Sequence, residues 1–352
     1  METKLRDFSG ESIYVGIDSH LKRWQVTVMS DELELQSFSQ EPDSSQLVSF
    51  LEKHFPGADY HCVYEAGFSG FNAQRDLALS GIDCIVIHPA DVPTSDREKR
   101  QKSDRIDSRK LARGLKNGDF RPIDIPDVHR QQDRSLLRVH NRTTRDLTRV
   151  KNRIKFFLMF FGIAVPGEYS LGRWSKGFRA WLGTIHPGGC GNIGLGCLRS
   201  QLEYLLAQQK ELEKQIKLLS GQSRYKTDFD NLLSIPGVGW QTAMVLLTEI
   251  GDVSRFSGLR ELGSYFGLIP NCHNSGDSVR IGRNTKRGNV YLKYILLEAA
   301  WMAMRYDPSL LLCYKSAIRR MDGNKAIIKV ARKLLNRIRF VLKNKRRYRI
   351  GE

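Results

Sequence analysis

Four acidic residues stand where a two-metal phosphodiester site would need them: Asp18, Glu65, Asp104 and Asp107. Asp18 ends an apolar, strand-like run, Ser12-Ile-Tyr-Val-Gly-Ile-Asp18, and Glu65 ends a second, His61-Cys-Val-Tyr-Glu65. Asp104 and Asp107 lie in Lys102-Ser-Asp-Arg-Ile-Asp107, within a stretch of helical character. A carboxylate at a strand end is held by a rigid sheet and points off its edge. Two carboxylates at i and i+3 share one face of a helix. Four convergent carboxylates repel one another unless cations lie between them. Hard oxygen donors select Mg²⁺, with Mn²⁺ as the alternative, and paired ions of this kind drive phosphodiester chemistry. The competing reading for Asp104 and Asp107 is an exposed, charge-balanced helix face, with Arg100 and Lys110 within helical reach.

A second segment carries reactive residues. Between 267 and 289 the chain reads as a long polar loop holding Ser275 and Ser278 beside Arg280, Arg283, Lys286 and Arg287. A serine hydroxyl attacks a phosphodiester only when cations stabilise the phosphorane and something takes its proton. No Gly-x-Ser-x-Gly elbow and no sequence-local histidine partner accompanies these serines. Composition alone therefore reads the segment as a phosphate-binding loop.

The elements that must position these groups follow from periodicity. Strands are expected at 12–18 and 24–28, joined by the turn Ser19-His-Leu-Lys-Arg23, with a third near 33–38. Helical spacing over 44–54 precedes strand 61–65, helix 70–79, strand 83–87 stopped by His88-Pro89, and a helix near 103–116. The order β-β-β-α-β-α-β-α is that of an RNase H-like (RuvC-type) α/β domain, a mixed sheet flanked by helices, over 1–128. Residues 129–225 are expected to form a helical arm. It comprises a basic helix over about 130–162, an irregular Gly/Pro-rich connection over 166–197, and a helix over 198–220, paired as a coiled coil or packed as an ordinary bundle. Residues 226–352 read as a mostly α-helical domain. It opens on Ile235-Pro-Gly-Val-Gly239 and an apolar helix, as in a helix-hairpin-helix element. Gly237 and Gly239 would let the backbone approach a phosphate, and the next helix would present free N–H groups to it. The bland alternative is a glycine-rich helix-helix turn.

Charge points to the partner. The chain carries 56 basic and 38 acidic side chains, a net +18 over 352 residues, which favours a polyanion. Arg97, Lys99, Arg100, Lys102, Arg105, Arg109, Lys110 and Arg113 crowd the Asp104–Asp107 pair. Arg134, Arg138, Arg142, Arg145 and Arg149 recur at spacings of three or four, a one-sided stripe suited to a nucleic-acid track. From Lys315 to Glu352 there are fourteen Lys or Arg against Asp322 and Glu352. Ile327, Ile328, Ala331, Leu334, Leu335, Ile338 and Leu342 mark an amphipathic helix there. Phosphate contacts of this kind do not distinguish RNA from DNA.

No apolar run reaches the ~18 residues of a membrane span, and the first residues lack the apolar core of a signal peptide. Cysteines at 62, 84, 190, 197, 272 and 313 form no Cys-x-x-Cys pair, and His186, Cys190 and Cys197 fit no common zinc spacing. Free thiols in a reducing cytoplasm are the simple expectation.

Taken in order, the motifs resemble those of the DEDD transposases of bacterial insertion sequences, relatives of the Piv-type DNA invertases, a family that includes bridge-RNA-guided recombinases. The resemblance rests on Tyr14-Val-Gly-Ile-Asp18, Tyr64-Glu65-Ala-Gly, His88-Pro and Lys102-Ser-Asp-Arg-Ile-Asp-Ser-Arg-Lys-Leu-Ala112. It continues with Ile235-Pro-Gly-Val-Gly, Gly267-Leu-Ile-Pro, Asn274-Ser-Gly276, Thr285-Lys-Arg-Gly-Asn289 and Ala331-Arg-Lys-Leu-Leu335. It implies that Asp18, Glu65, Asp104 and Asp107 are a Mg²⁺-binding tetrad and that Ser275 is a catalytic nucleophile, with Ser278 the nearby alternative. It further implies a covalent serine–DNA intermediate, donor and target DNA as substrates, a guide RNA, and a dimer or tetramer with shared active sites. Two positions depart from the family pattern: Asn284 precedes Thr-Lys where an aliphatic residue is frequent, and Ser108 follows Asp107 where alanine is frequent. The expected function is a DNA transposase that cuts and rejoins DNA. The alternative is a metal-only RNase H-like nuclease or junction resolvase in which Ser275 merely contacts phosphate.

Overall fold

The computed structural model describes residues 7–93, 103–170, 172–275, 278–284 and 288–350, and the chain divides into two compact units, 1–125 and 126–352. No helix among the described residues is long and apolar enough to cross a membrane.

The first unit is a five-stranded mixed sheet with helices on both faces. Its strands are β1 (Ser12–Ser19), β2 (Trp24–Met29), β3 (Glu34–Gln40), β4 (Asp59–Glu65) and β5 (Asp83–Ile87), in the spatial order β3-β2-β1-β4-β5. β1 pairs antiparallel with β2 and parallel with β4, so β1 is the seam between the hairpin half and the parallel half. Alternation decides which residues face which layer. Ile13, Val15 and Ile17 of β1 and Cys62 and Tyr64 of β4 are buried in one core with Leu47 and Leu51 of α1 (Ser44–His54) and Leu77 of α2 (Asn72–Leu79). The intervening residues face α3 (Asp104–Lys116): Val63 packs with Leu111, Phe120 and Ile87. Gly16 is the point of closest approach. A Cβ there would lie 2.1 Å from the Ser108 carbonyl and 2.4 Å from the Ala112 nitrogen, so only glycine lets α3 lie flat on β1.

The second unit is mostly helical. It comprises α4 (Val128–Phe160), α5 (Lys176–Leu182), α6 (Gly189–Ser220), α7 (Ser223–Leu232), α8 (Trp240–Ile250) and α9 (Leu259–Tyr265). A two-stranded sheet follows, β6 (Pro270–Ser275) and β7 (Ser278–Asn284), then α10 (Val290–Ala303), α11 (Pro308–Ile318) and α12 (Gly323–Asn344). α4 and α6 pack through Leu147, Val150, Ile154, Leu158, Leu202 and Leu205, with Phe178 and Leu182 of α5.

Two expectations are corrected. The connection over 166–197 is not irregular throughout: α5 lies within it and α6 begins at Gly189. The glycines that argue against a helix are contact points. A Cβ on Gly191 would lie 3.0 Å from the Phe161 ring, and one on Gly194 3.3 Å from the Phe157 ring. Packing against aromatic rings overrides low propensity. Likewise, 267–289 is not a loop throughout, because β6 and β7 pair antiparallel with Cys272 opposite Ile281 and Ser275 opposite Ser278. The amphipathic reading of the last helix agrees with the structure: Ile327, Ala331, Leu334, Leu335, Ile338 and Leu342 of α12 are buried in the main core of this unit.

Candidate metal site and nucleic-acid surfaces

Asp18 and Glu65 lie at the C-terminal ends of neighbouring parallel strands, one residue beyond the registered pair Ile17–Tyr64. Both have the parity of Gly16 and Val63, which puts them on the face covered by α3. α3 starts at Asp104 with Ser103 as its N-cap, and its buried stripe runs through Ser108, Leu111 and Ala112. Asp104 stands one turn before Ser108, so the Gly16 contact that seats α3 also carries Asp104 toward Asp18.

A histidine joins them. His20 Nε2 lies 3.2 Å from Asp18 Oδ2 and 3.6 Å from Asp104 Oδ1. Donor atoms of Asp18, His20 and Asp104 all fall within 4.8 Å of one another, a spacing that one cation can bridge. Burial pushes the Asp18 carboxyl above its ordinary range; His20 pulls it down, while Asp104 and Asp107 push it up further. Partial burial beside two like charges is the electrostatic condition a cation relieves, and the donor set therefore fits a divalent ion. Asp107 contributes charge near Asp18 and sits 3.5 Å from Lys110 Nζ. Glu65 shares the strand-end position but is not part of the three-residue cluster.

The basic residues around the acids divide by what they touch. Arg109 Nη2 donates to Glu34 Oε1 at 3.0 Å, and Arg105 lies 3.9 Å from the same oxygen. Both thus belong to an ion-pair group with β3, and Arg105 remains 63% exposed. Arg97, Lys99, Arg100 and Lys102 lie outside the described residues. Ser108 is fully buried and shares a 2.8 Å hydroxyl contact with Thr27 of β2, so the departure from alanine is matched by a polar partner.

On α4 the arginine stripe is split. Arg138 Nε donates to Glu249 Oε1 at 2.7 Å and Arg134 Nη2 to Glu249 Oε2 at 3.0 Å. Burial alone would raise the Glu249 carboxyl, but the Arg138 hydrogen bond, both guanidinium charges and Asn289 outweigh it and hold it below the ordinary range. Arg142 and Arg145 stay exposed. Arg149 is exposed too, paired with Asp146 at 2.9 Å. Arg145 and Arg149 line a groove of about 560 Å³ with Thr144, Gln241 and Tyr294, at the N-terminus of α8. Arg138, Arg142 and Arg145 border a second hollow beside Asn289 and Tyr291.

The two glycines before α8 differ. Gly237 has φ +86° and a Cβ there would lie 2.4 Å from the Ala299 carbonyl, so it seats the turn on α10. Gly239 is the N-cap of α8 and faces open space. Ser275 ends β6 and Ser278 begins β7, and the backbone of Arg280 pairs with His273. Arg283 lies in β7, while Lys286 and Arg287 lie outside the described residues. The feet of the hairpin are pinned. A Cβ on Gly288 would lie 2.1 Å from the Gly267 nitrogen, and Asn289 donates to Glu249 Oε2 at 3.0 Å.

Sequence reasoning missed His20, Glu34 and Glu249. His20 follows Asp18 by two residues, the spacing that shares a strand face, and that signal was available. Glu249 was visible as the lone acid in the apolar helix Trp240–Ile250. Glu34 becomes a partner only once β3 is placed beside β2, within reach of the Arg105 and Arg109 side chains of α3.

A mixed sheet with carboxylates at adjacent strand ends, faced by an acid-bearing helix, is consistent with a domain of RNase H-like build. Comparison with known proteins carries this further. Residues 15–162 match the family profile described as a DEDD transposase of the IS110 type, and residues 230–315 match the profile of the transposase IS116/IS110/IS902 family. The chain is 28% identical to the putative transposase y4rJ of Sinorhizobium fredii, over 92% of this chain and 90% of that one. It is 27% identical to the transposase for insertion sequence element IS1111A of Coxiella burnetii, over 82% and 80%. It is 28% identical to the putative transposase y4qE of Sinorhizobium fredii, over 71% of this chain but only 59% of that relative. The chain belongs to the IS110/IS116-type insertion-sequence transposases.

Proposed function

We propose that this protein mobilises its own insertion sequence by cutting and rejoining DNA, with Asp18, Glu65, Asp104 and Asp107 binding Mg²⁺ and Ser275 as nucleophile. The observation that carries the reading is the convergence of Asp18 and Asp104 at the edge of the sheet, with Glu65 at the adjacent strand end. Bound there, Mg²⁺ supplies charge neutralisation at a phosphate oxygen. The protein's own groups do the rest. The strand ends and the first turn of α3 hold the carboxylates in place. Ser275 Oγ attacks phosphorus. The Oγ–P bond forms, the P–O bond to the leaving DNA oxygen breaks, and that oxygen takes up the serine proton. A DNA hydroxyl then attacks the phosphoserine, returns a proton to Ser275 and reseals the strand, so phosphodiester bond energy is conserved. Arg280, Arg283, Lys286 and Arg287 surround the serine in sequence and are assigned to charge stabilisation.

Arg142, Arg145 and Arg149, with the Gly239 turn as a helix-hairpin-helix phosphate contact, form the nucleic-acid surface. That surface serves donor and target DNA and a guide RNA, and the protein works as a dimer or tetramer. The support is the exposed basic face of α4 beside the open N-terminus of α8.

The test is trapping of the covalent intermediate. Purified protein with Mg²⁺ and DNA bearing the element's ends should yield a protein–DNA adduct whose peptide map places phosphate on Ser275. Adduct on Ser278 reassigns the nucleophile. Efficient cleavage with no adduct, undiminished in Ser275→Ala, replaces the reading with a metal-only nuclease.

A further inference from the structure

We propose that His20 is a nitrogen ligand of the cation held between Asp18 and Asp104, and that it tilts the site from Mg²⁺ toward Mn²⁺. The proposal rests on the reading of these acids as a metal site. The geometry is local to the β1–β2 turn. One ring nitrogen, Nε2, faces both carboxylates, at 3.2 Å from Asp18 and 3.6 Å from Asp104. The turn that carries it is fixed by the His20 N–H donating to the Arg23 carbonyl at 3.1 Å. The side chain is half exposed, so its aim comes from the 3.2 Å hydrogen-bond contact with Asp18 and the approach to Asp104 rather than from core packing.

A lone hydrogen bond to Asp18 would need only one of these approaches. Convergence of both oxygens and one nitrogen within 4.8 Å is a three-donor set around a single point. Mg²⁺ demands a near-ideal octahedron and gives up its waters reluctantly, whereas first-row transition ions accept nitrogen donors in place of water, Mn²⁺ the least strongly of that series. Replacing one oxygen or water donor by His20 therefore gains more for Mn²⁺ than for Mg²⁺. The consequence is an enzyme whose metal choice is set by a residue outside the four acids.

The test uses the full-length wild type, His20→Ala, His20→Gln and Asp18→Asn, titrated calorimetrically with MnCl₂ and with MgCl₂. Mn²⁺-loaded samples are also read by pulsed electron paramagnetic resonance. Wild type should show ¹⁴N coupling from a directly bound imidazole, and both His20 variants should lose it. The Mn²⁺ Kd of His20→Ala should weaken on the order of tenfold, the low end of the cost of removing a group that supports a metal, with the Mg²⁺ Kd little changed. Absence of ¹⁴N coupling in wild type, or equal effects of His20→Ala on both ions, overturns the assignment of His20. Asp18→Asn should weaken both ions. If it weakens neither, the metal-site reading itself falls, and that outcome is separate from the fate of His20.

Discussion

Asp18 sits in electrostatic conflict: burial and two neighbouring carboxylates oppose its ionisation, and His20 relieves it in part. An acid whose folded pKa is raised holds its proton more tightly in the native state. Its contribution to stability is then complete below the ordinary carboxylate value and is lost as pH rises through the folded value. Metal-free Asp18→Asn should therefore unfold at a higher temperature than wild type at neutral pH, and the gap should close below about pH 4. A lower melting temperature for Asp18→Asn at neutral pH contradicts this account. The glycines before α8 give a second contrast. Gly237→Ala places a Cβ at positive φ against the α10 backbone and should cost well over ~1–3 kcal/mol, lowering Tm sharply. Gly239→Ala meets open space and should leave Tm nearly unchanged, while weakening nucleic-acid binding if the backbone there approaches phosphate. The apolar runs that precede them made the strand-end positions of Asp18 and Glu65 readable from sequence. Arg109 was not readable in the same way: its charge is plain, but its commitment to Glu34 depends on how α3, lying over β1 and β2, brings it within reach of the edge strand β3.

At the scale of elements, Glu249 ties three of them together. It accepts from Arg134 and Arg138 of α4 and from Asn289, whose own Oδ1 caps α10 by accepting from Tyr291 and Leu292 N–H at 3.0 and 3.2 Å. Through Asn289 this buried acid also anchors the foot of the β6–β7 hairpin. Glu249→Gln leaves two guanidinium groups without their counter-charge and should destabilise the second unit by about 3 kcal/mol, the low end for breaking a buried pair because Arg138 is half exposed. Chemical denaturation of an isolated variant checks the value; a loss below ~1 kcal/mol would show that the pair contributes little. The pH sign is opposite to that of Asp18. The depressed Glu249 pKa gives stability that is present above the ordinary glutamate value and lost as pH falls through the lower folded value, so wild type should lose this difference from Glu249→Gln only in strong acid. Periodicity made the long helices legible, α4 and α12 above all. The hairpin at 270–284 was not, because its polar, glycine-bearing sequence lacks alternation, and the pairing is held from outside by the Gly267–Gly288 crossing. The start of α6 was hidden for a related reason: its glycines read as breakers until the phenylalanines of α4 are seen against them.

For the whole molecule, a net charge of +18 favours a polyanionic partner, and phosphate neutralisation makes such binding salt-dependent. Replacing Arg142, Arg145 and Arg149 together with alanine should reduce affinity across unrelated sequences alike. It should also lower the slope of log K against log salt by about 1 for each phosphate left without its arginine. An unchanged slope would mean that these exposed arginines lie away from the nucleic acid. Composition pointed only to a polyanionic partner; the class of protein was legible through the resemblance carried by the order of the motifs. The commitment of Arg134 and Arg138 to Glu249 was not, since a buried ion pair and an exposed basic stripe need the same residue type on one helix. The most direct measurement of the central claim is excision in cells. The gene with its native flanking DNA is carried on a plasmid, and the rejoined circular junction is detected by amplification for wild type, Ser275→Ala and Asp104→Ala. A junction in wild type alone is the predicted result. A junction that persists in Asp104→Ala would contradict the acidic site as the seat of the reaction, and one that persists in Ser275→Ala would contradict the serine as its nucleophile.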